Sequence, residues 1–597
     1  MKRELLTALT VALLASGAQA EDLIITANRA PVPAEAVNED YAVITKEEIK
    51  KYGLTSVADV LEYVSGIHIS SNGGFGQTTS VFMLGLPSKH VLVMVNGAPV
   101  YDPSTPEGTT NFEWLDLSNI ERIEVIKGPQ GALYGSDAIA GVINIITKKP
   151  KESSFKLSGE AGKYLTFKEK ATGALALKDG FLSFTFTNFK TNGFSAANDK
   201  SPVYEPDDDG FRYRTGWLSW GYQPTDWLKL SGDFKVKGGS VDFDAMPYVQ
   251  NAKTSYDNFF TDLKADATIT DNLGLTVTAS HNKENRNTPW GLYRGIVRYF
   301  SLQPVYYLTD STFVTGGVNY RQEKAQFSDR ASAHLKSAFL ELHTSLYGIT
   351  ATAAVRRDLH SEYGGKTTYK LSAGYLFEPT GTKVRAQYGT GFRAPSLYQL
   401  YGPWVGNQNL KAETSEGWNA GVEQKLPYLD GKVSITYFKN HVWNLIDMPW
   451  WQGIFTYTNY NKAITEGAEV DAKVKVLENL TFFGNYTHLR AKDYNPTTGS
   501  WERLARRPKF SYTLGVEGRF MGVKASLWAL HYSDREDANG ETLGGFTTLN
   551  CYASYKLKNG IEVYAKGFNL TDKDYELAYG YNTMGRALFV GASYSFK

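Results

Sequence analysis

The sequence lacks the residues that build disulfide frameworks and cysteine-based metal centres. Cys551 is the only cysteine, so no internal disulfide can form and zinc sites of the finger type are excluded. The nine histidines show no metal-ligand spacing. An excess of one charge is also missing, because 63 lysines and arginines face 62 aspartates and glutamates. Without a basic surplus, nucleic acid is not an expected partner.

Two further absences concern catalysis and membrane helices. The sequence contains no HExxH, GxSxG or Walker A motif, which are signatures of common hydrolases and nucleotide-binding enzymes. We therefore predict that the chain is not an enzyme and uses no catalytic cofactor. Beyond residue 20, no stretch reaches 18 consecutive apolar residues, so we expect no membrane-spanning helix.

Residues 1–20, MKRELLTALTVALLASGAQA, have the layout of a secretory signal peptide. Lys2 and Arg3 form a basic start, residues 5–15 form an apolar middle, and residues 18–20 give a small-x-small cleavage pattern. The apolar middle is too short to span a bilayer, which favours cleavage over a retained anchor helix.

Residues 151–597 consist of segments in which apolar and polar residues alternate, separated by turns or longer loops. The segments 228–237, 273–280 and 588–596 each place apolar side chains on one face of a strand. A soluble β-sandwich would show similar alternation, but here it continues without a domain break. Tyrosine and tryptophan also recur near strand ends, as in the aromatic girdles of membrane barrels. At about 20 residues per strand and loop, the region predicts about 22 strands.

The preceding region mixes short helices and strands around a glycine-rich segment. Within it, residues 121–149 read ERIEVIKGPQGALYGSDAIAGVINIITKK, with glycines at tight turns between two apolar strands. This string closely resembles the plug domain of TonB-dependent outer-membrane receptors. NLTDKDYE at 569–576 resembles the C-terminal signature of that family.

The resemblance implies the fold class and the location of the chain. It implies an all-β membrane protein of the bacterial outer membrane, with a transmembrane antiparallel β-barrel of about 22 strands and an N-terminal α+β plug domain inside its lumen. The expected divisions are a signal peptide at 1–20, a TonB box segment at 21–30, a plug at 31–150 and a barrel at 151–597. Its expected surroundings are outer-membrane lipid, and we expect a monomer.

Residues 23–27 resemble the TonB box of the family. The segment consists of Leu23, Ile24, Ile25, Thr26 and Ala27. It is uncharged, apolar and near a terminus, so it can add as a strand to the sheet edge of a partner. The resemblance implies that this partner is TonB, acting with the inner-membrane energising complex. A frayed terminus without a role is the alternative.

Several strings are most similar to the cobalamin receptors within the family. They are TANR at 26–29, NGGFGQTTSVF at 72–82, HVLVMVNG at 90–97, LYGSDAIAGVINIIT at 133–147 and YGYNTMGR at 579–586. We therefore expect active uptake of cobalamin or a related corrinoid, energised through TonB acting on the plug. An iron–siderophore or haem receptor is the alternative ligand assignment. A passive porin fits less well, because it needs neither the plug nor the TonB box, and a barrel enzyme is disfavoured by the missing catalytic residues. Colicins or phage are further candidate partners.

Two polar, turn-rich plug segments, 73–80 and 101–108, are the expected ligand contacts. They match apical plug loops of the cobalamin receptors by position. Their side chains offer hydrogen bonds for the amides around a corrin, together with one flat aromatic face. The predicted substrate-binding residues are Gln77, Thr78, Thr79, Tyr101, Asp102 and Ser104. Ordinary solvated loops are the alternative.

Acidic residues in two successive long loops form a candidate calcium site, because carboxylate oxygens are the ligands that Ca²⁺ prefers. The candidate ligands are Asp207, Asp209, Asp242 and Asp244. Cobalamin receptors are similar here, and in them calcium orders these loops over the ligand. This chain departs from them at Ser195, which stands where the family has an aspartate. A rearranged site, or a solvated acidic loop without calcium, therefore stays open.

Overall fold

The computed structural model describes residues 23–24, 27–245, 249, 251–448, 453–496 and 498–596. The predicted signal peptide at 1–20 lies outside these residues, as do Ile25 and Thr26 of the candidate TonB box. Among the described residues, no helix combines the length and apolarity needed to cross a bilayer.

The N-terminal region contains nine short strands and three helices. In chain order they are β1 (Leu23–Ile24), β2 (Val32–Pro33), β3 (Asp40–Thr45), α1 (Lys46–Tyr52), α2 (Val57–Leu61), β4 (Ile67–Ser71), β5 (Thr79–Met83), β6 (Val91–Val95), β7 (Ala98–Pro99), β8 (Ile120–Lys127), α3 (Gly131–Tyr134) and β9 (Gly141–Thr147). Single 3₁₀ turns occur at Ala34–Ala36, Ser88–His90 and Phe112–Trp114.

A five-stranded sheet of order β3-β8-β9-β6-β7 is the centre of this α+β unit. Helix α1 starts with a capping box, in which the Thr45 hydroxyl accepts from the Glu48 backbone and Glu48 accepts from the Thr45 backbone. Strands β6 and β9 pair in parallel and bury every side chain, as expected for a sheet covered on both faces. The glycine-rich segment 128–141 connects β8 to β9, which confirms the predicted strand pair.

The rest of the chain forms long antiparallel strands. They are β10 (Ser154–Gly162), β11 (Thr166–Leu177), β12 (Gly180–Thr191), β13 (Phe211–Thr225), β14 (Leu228–Phe243), β15 (Ala252–Thr270), β16 (Leu273–Thr288), β17 (Gly291–Thr309), β18 (Thr312–Gln326), β19 (Arg330–Leu346), β20 (Ile349–His360), β21 (Gly364–Phe377), β22 (Thr382–Arg393), β23 (Glu413–Leu426), β24 (Gly431–Asp447), β25 (Thr458–Leu477), β26 (Leu480–Asn495), β27 (Ser500–Arg503), β28 (Phe510–Phe520), β29 (Val523–Tyr532), β30 (Arg535–Glu536), β31 (Thr542–Leu543), β32 (Phe546–Lys556), β33 (Ile561–Phe568) and β34 (Ala587–Phe596). A short helix, α4 (Leu397–Tyr401), and a 3₁₀ turn, Pro427–Leu429, lie between strands.

These strands close into one barrel, because β34 pairs with β10 from Phe155↔Phe596 to Gly162↔Phe589. Strands β27 and β28 both pair with β26 and together count as one interrupted barrel strand, while β30 and β31 pair only with each other. The barrel therefore has 22 strands. The predicted fold class, a 22-stranded antiparallel barrel with an N-terminal α+β plug, is confirmed.

The two faces of the barrel wall differ as the alternation predicts. On adjacent strands, Leu342 and Val355 point outward and are about half exposed (45% and 46%). Their neighbours Glu341 and Arg356 point inward and are buried under the plug. One end of the barrel carries tight turns such as residues 178–179, and the other carries the long loops. By the usual orientation of such barrels, the tight turns are periplasmic and the long loops extracellular.

Candidate functional site

Buried ion pairs fix the plug to one side of the lumen. Lys127 of β8 lies 2.7 Å from Asp40 of β3 and 2.8 Å from Glu469 of the barrel strand β25. Arg385 of β22 reaches Asp40 at 2.8 Å. Burial alone would raise the pKa of Asp40, but Lys127 and Arg385 hold it well below its usual range. Lys127 and Arg385 thus compensate the buried carboxyl groups only while the plug is in place.

The same arrangement recurs between the plug and barrel strands β14 to β23. In each case a buried plug residue meets a barrel residue of opposite charge. The pairs are Asp116–Lys235 (2.8 Å), Asp102–Arg286 (2.8 Å), Glu39–Lys370 (2.5 Å) and Lys89–Glu413 (3.0 Å). Separating a buried pair leaves charges without compensation, so these contacts oppose movement of the plug.

The last residue of the candidate TonB box, Ala27, packs inside the lumen. Strand β1 pairs with β2 in antiparallel register. Ala27 is fully buried, and its backbone oxygen accepts a hydrogen bond of 3.3 Å from Lys370 of β21. The start of the plug is therefore held by the barrel wall itself.

Arg29 connects this segment to both the plug and the barrel. Its Nη1 donates to the backbone oxygen of Leu133 in α3 at 2.9 Å, and its Nη2 donates to the Tyr299 hydroxyl at 3.3 Å. The guanidinium also lies over the rings of Phe339 (4.8 Å) and Tyr134 (5.1 Å). A pull on the N-terminal segment therefore acts on α3 through Arg29. Sequence reasoning missed this role, because no local pattern indicates partners this far along the chain.

Helix α3 lies directly against the barrel wall because it begins with glycine. A Cβ atom on Gly131 would stand 2.6 Å from the Thr390 backbone oxygen and 2.9 Å from the Gly391 Cα. The preceding turn requires Gly128 at a φ of +90°, which favours glycine. The glycine-rich segment thus places α3 between the N-terminal segment and strand β22.

The apical plug loop 101–108 is folded on itself and against the barrel. Asp102 is fully buried, and its carboxylate accepts from the Ser104 backbone (2.8 Å), the Ser104 hydroxyl (2.6 Å) and Arg286 (2.8 Å). Tyr101 is also buried and donates to Glu323 at 2.5 Å. These three predicted ligand residues, Tyr101, Asp102 and Ser104, are engaged in plug–barrel contacts in this structure.

The apical loop 73–80 presents more accessible groups. Thr78 is exposed and Thr79 is half-buried, whereas Gln77 is buried and donates to the Asp242 backbone oxygen at 2.7 Å. The Thr79 backbone donates to the half-buried Glu113 at 3.4 Å, and desolvation raises the pKa of Glu113 to about 8. Thr78 and Thr79 are the predicted ligand residues that lie nearest to solvent.

The two acidic loops meet beside loop 73–80. Glu205, Asp207 and Asp244 each offer a carboxylate oxygen within 4.8 Å of the others. Asp209 lies close by and accepts from the Ala196 backbone at 2.7 Å. Asp242 instead pairs with Lys253 at 2.7 Å. The structure thus brings Asp207 and Asp244 together, adds Glu205 to the predicted set and gives Asp242 a different partner.

The electrostatics of this acidic cluster favour a cation. Burial and the neighbouring carboxylates, Asp244 first, raise the pKa of Asp209 to about 7. Burial and the charge of Asp207 also raise the pKa of Asp244, although backbone donors oppose the shift. Ser195, at the position of the departure noted in the sequence, directs its hydroxyl to Asp244 at 3.4 Å. The carboxylates present fit the oxygen preference of Ca²⁺.

A further extracellular segment, residues 394–412 with α4, covers loop 101–108. Ser396 caps α4 and donates from its hydroxyl to the Pro106 backbone oxygen at 2.7 Å. Arg393 donates to the backbone oxygen of Glu107. The capping sequence of α4 was available in the sequence, but its contact with the plug was not.

Comparison with known proteins agrees with this geometry. Residues 162–570 match the family described as "TonB dependent receptor-like, beta-barrel", and residues 33–142 match "TonB-dependent Receptor Plug Domain". Vitamin B12 transporter BtuB of Photobacterium profundum is 32% identical over 96% of this chain and 95% of its own. Vitamin B12 transporter BtuB of Vibrio vulnificus is 29% identical over the same shares.

Solved structures share the fold at lower identity. The siderophore receptor PirA from Acinetobacter baumannii superposes with a TM-score of 0.79 at 17% identity, over 93% of this chain and 98% of its own. A mutant of the ferric enterobactin receptor PfeA from Pseudomonas aeruginosa superposes with a TM-score of 0.80 at 18% identity, over 96% of this chain and 100% of its own. At this identity the likeness shows the fold alone.

The chain belongs to the TonB-dependent receptors. It is an outer-membrane transporter whose partners are TonB and a ligand, as predicted from the plug sequence. The family consists of transporters and receptors, and no catalytic cofactor is expected in it.

Proposed function

We propose that this receptor takes up cobalamin or a closely related corrinoid across the outer membrane. The similarity to two vitamin B12 transporters, which extends over 95% of their length, carries the proposal. The exposed Thr78 and half-buried Thr79 support it, because their hydroxyls offer hydrogen bonds to amide groups of a ligand above the plug. The structural likeness to siderophore receptors concerns the fold and does not identify the ligand of this chain.

Direct binding tests the ligand. We expect purified protein in an uncharged detergent to bind cyanocobalamin in an equilibrium titration, and ferric enterobactin to leave that binding unchanged. Thr78→Val keeps the shape but removes a donor, so it should weaken binding more than Thr548→Val, a lumenal control in β32. Binding of the siderophore with no binding of cyanocobalamin would replace this proposal with the alternative.

Residues 23–27 are proposed as the TonB box. Their position just before the Arg29 contact supports this role, because a partner strand added there pulls directly on a segment connected to α3. We expect Ile25→Pro to abolish uptake of labelled cyanocobalamin while its binding at the cell surface persists, since proline removes a ladder donor. Ile25→Val is the matched control. Full transport by the proline variant would exclude this segment.

The acidic cluster is proposed as a calcium site formed by Glu205, Asp207 and Asp244, with Asp209 beside it. Bound calcium would neutralise the carboxylates, and the residues would then hold loop 196–211 against loop 73–80. We expect Ca²⁺ to bind in calorimetry and to protect loop 196–211 from proteolysis. Asp207→Asn/Asp244→Asn should lose both effects, whereas the exposed periplasmic control Asp310→Asn should retain them. Equal calcium binding by the two variants would remove the cluster from the proposal.

A further inference from the structure

A large cavity separates the plug from the barrel wall on the periplasmic side. Its volume is about 1020 Å³, and it lies between helix α1 and the lumenal face of the barrel. The lining wall comes from β10 to β12 and from strands between β25 and β34, close to their periplasmic ends. This is the opposite end of the plug from the apical loops, so the cavity is distinct from the candidate ligand site.

The cavity contains a surplus of lysines. Among the described residues, seven lysines that line it have no carboxylate within ion-pair distance. Lys168 donates to the Leu54 backbone oxygen at 2.7 Å, and the other six are Lys148, Lys156, Lys170, Lys473, Lys524 and Lys556. Lys148, Lys156 and Lys170 are half-buried inside it, and the other three are exposed at its periplasmic rim.

The carboxylates of the cavity do not balance this charge, because most already have cationic or backbone partners. Glu160 pairs with Lys566 (3.2 Å), Glu517 with Lys51 (3.1 Å) and Glu562 with Lys50 (2.6 Å). Glu478 pairs with Lys475, and Glu48 belongs to the capping box of α1. The six lysines therefore concentrate positive charge in a confined space.

Two buried hydroxyls in the wall also lack partners. Ser593 of β34 and Ser183 of β12 are each 4% exposed, line the cavity and make no hydrogen bond among the described residues. Ser593 stands in register with Ser158, which stands in register with Lys170. Lys156 is two positions from Ser158 on the same face of β10. An unpaired buried hydroxyl thus lies on the same part of the wall as two lysines without carboxylate partners, with Lys156 on the neighbouring strand and Lys170 one strand further.

The surroundings of Lys148 show how the lysines affect one another. Burial lowers the pKa of Lys148; the nearby Glu121 opposes this shift and Lys156 adds to it. An anion among the lysines would offset their mutual repulsion and would accept a hydrogen bond from the Ser593 hydroxyl. Lysine binds phosphate oxygens as a point charge, and several lysines can share one polyanion without a fixed geometry.

We propose that this cavity is a binding site for small phosphate-bearing anions on the periplasmic side of the plug. The phosphate group could belong to a free periplasmic solute or to a transported ligand that carries one. The site rests on residues that the proposed cobalamin function does not use, so either proposal can fail without the other.

Inorganic pyrophosphate is the probe for the site itself. We expect the purified full-length protein, in an uncharged detergent, to bind it in calorimetry. Lys156→Gln/Lys170→Gln should weaken this binding about tenfold or more. The matched control Lys178→Gln/Lys558→Gln changes exposed lysines in periplasmic turns and should bind as wild type. Absence of binding to the wild type, or equal affinity of the two double variants, would overturn the proposal.

A second measurement needs no variant. We expect pyrophosphate to protect Lys156 and Lys170 of the wild type from an amine-acetylating reagent, read by mass spectrometry, while Lys178 and Lys558 react at an unchanged rate. If pyrophosphate left the reaction rates of Lys156 and Lys170 unchanged, the proposed location would be contradicted. Cyanocobalamin in the same assay separates the two sources of phosphate: protection by it indicates a transported ligand, and protection by pyrophosphate alone indicates a free solute.

Discussion

The two sides of the plug meet the barrel in different ways. Towards β14 to β25, buried charges pair at short distances, as in the contacts of Lys127 with Asp40 and Glu469. Towards β28 and β33, helix α1 makes ion pairs such as Lys50–Glu562 that stay partly exposed beside the large cavity. Buried pairs are costly to separate and solvated pairs are not. The difference indicates that the plug is anchored on one side and adjustable on the other.

The N-terminal segment reaches the anchored side. Arg29 contacts α3 and barrel strands β17 and β19, and Lys370 holds the Ala27 backbone. A load applied to residues 27–29 would therefore act where the plug is most firmly held, whereas the large cavity lies on the other side.

The largest expected effect comes from breaking the anchored side. Lys127→Met leaves Asp40 and Glu469 buried without their shared cation, so we expect the free energy of plug unfolding to fall by about 3–5 kcal/mol. Urea titration in detergent micelles, with hydrogen exchange of β3, β8 and β9 as the readout, measures this loss. A loss below about 1 kcal/mol would show that the pair does not anchor the plug.

Arg29→Gln should have a smaller effect, confined to the N-terminal segment. It removes a charged hydrogen bond to Leu133 and the contact with two rings, which together contribute about 1–3 kcal/mol. We expect faster hydrogen exchange at residues 27–33 and in α3, with the rest of the plug unchanged. Arg586→Gln, at an exposed extracellular position, is the control. Uniform loosening of the plug would instead assign Arg29 to overall stability.

Gly131→Ala tests how closely α3 approaches the wall. The added methyl group would stand 2.6 Å from the Thr390 oxygen, so we expect a loss of about 1–3 kcal/mol through displacement of α3 from β22. Gly159→Ala is the matched control, because its Cβ meets no atom within 4 Å. Equal stability of the two variants would show that the helix relocates without cost.

The smallest effect is expected on the cavity side. Lys50→Met removes a pair with Glu562 in which both side chains keep contact with water, so the free energy of plug unfolding should change by about 1 kcal/mol or less. The same urea titration compares it with Lys127→Met. Similar losses in the two variants would remove the distinction between the anchored and the adjustable side.

Local pattern predicted some parts of this molecule well. The alternation in 228–237, 273–280 and 588–596 predicted strands, and each segment lies in a barrel strand that exposes one face to lipid. The start of α1 is likewise set locally, by the capping box of Thr45 and Glu48. These features depend on neighbours within a few residues, which is why one sequence suffices to predict them.

The candidate site was only partly predictable. The polar residues of 101–108 suggested ligand contacts, yet Asp102 and Ser104 are buried, because Arg286 from a distant strand completes their hydrogen bonds. Glu205 was not predicted to join Asp207 and Asp244, although all three lie in the two loops that the sequence singled out. Which carboxylates converge depends on how the loops cross, and no local pattern fixes that crossing.

The sequence by itself determined the barrel strands, because period-two alternation acts over short distances. The plug and the outer-membrane location followed from the resemblance of residues 121–149 to the plug domains of the family. Only the tertiary structure decided how plug and barrel meet. Lys127 and Glu469 are 342 residues apart, and their charges compensate only when the closed barrel surrounds the plug. Among the unbalanced lysines of the periplasmic cavity, Lys156 and Lys170 come from the first barrel strands and Lys524 and Lys556 from late ones, and these strands are brought together when β34 pairs with β10. Closure of the barrel is the physical step that brings them together.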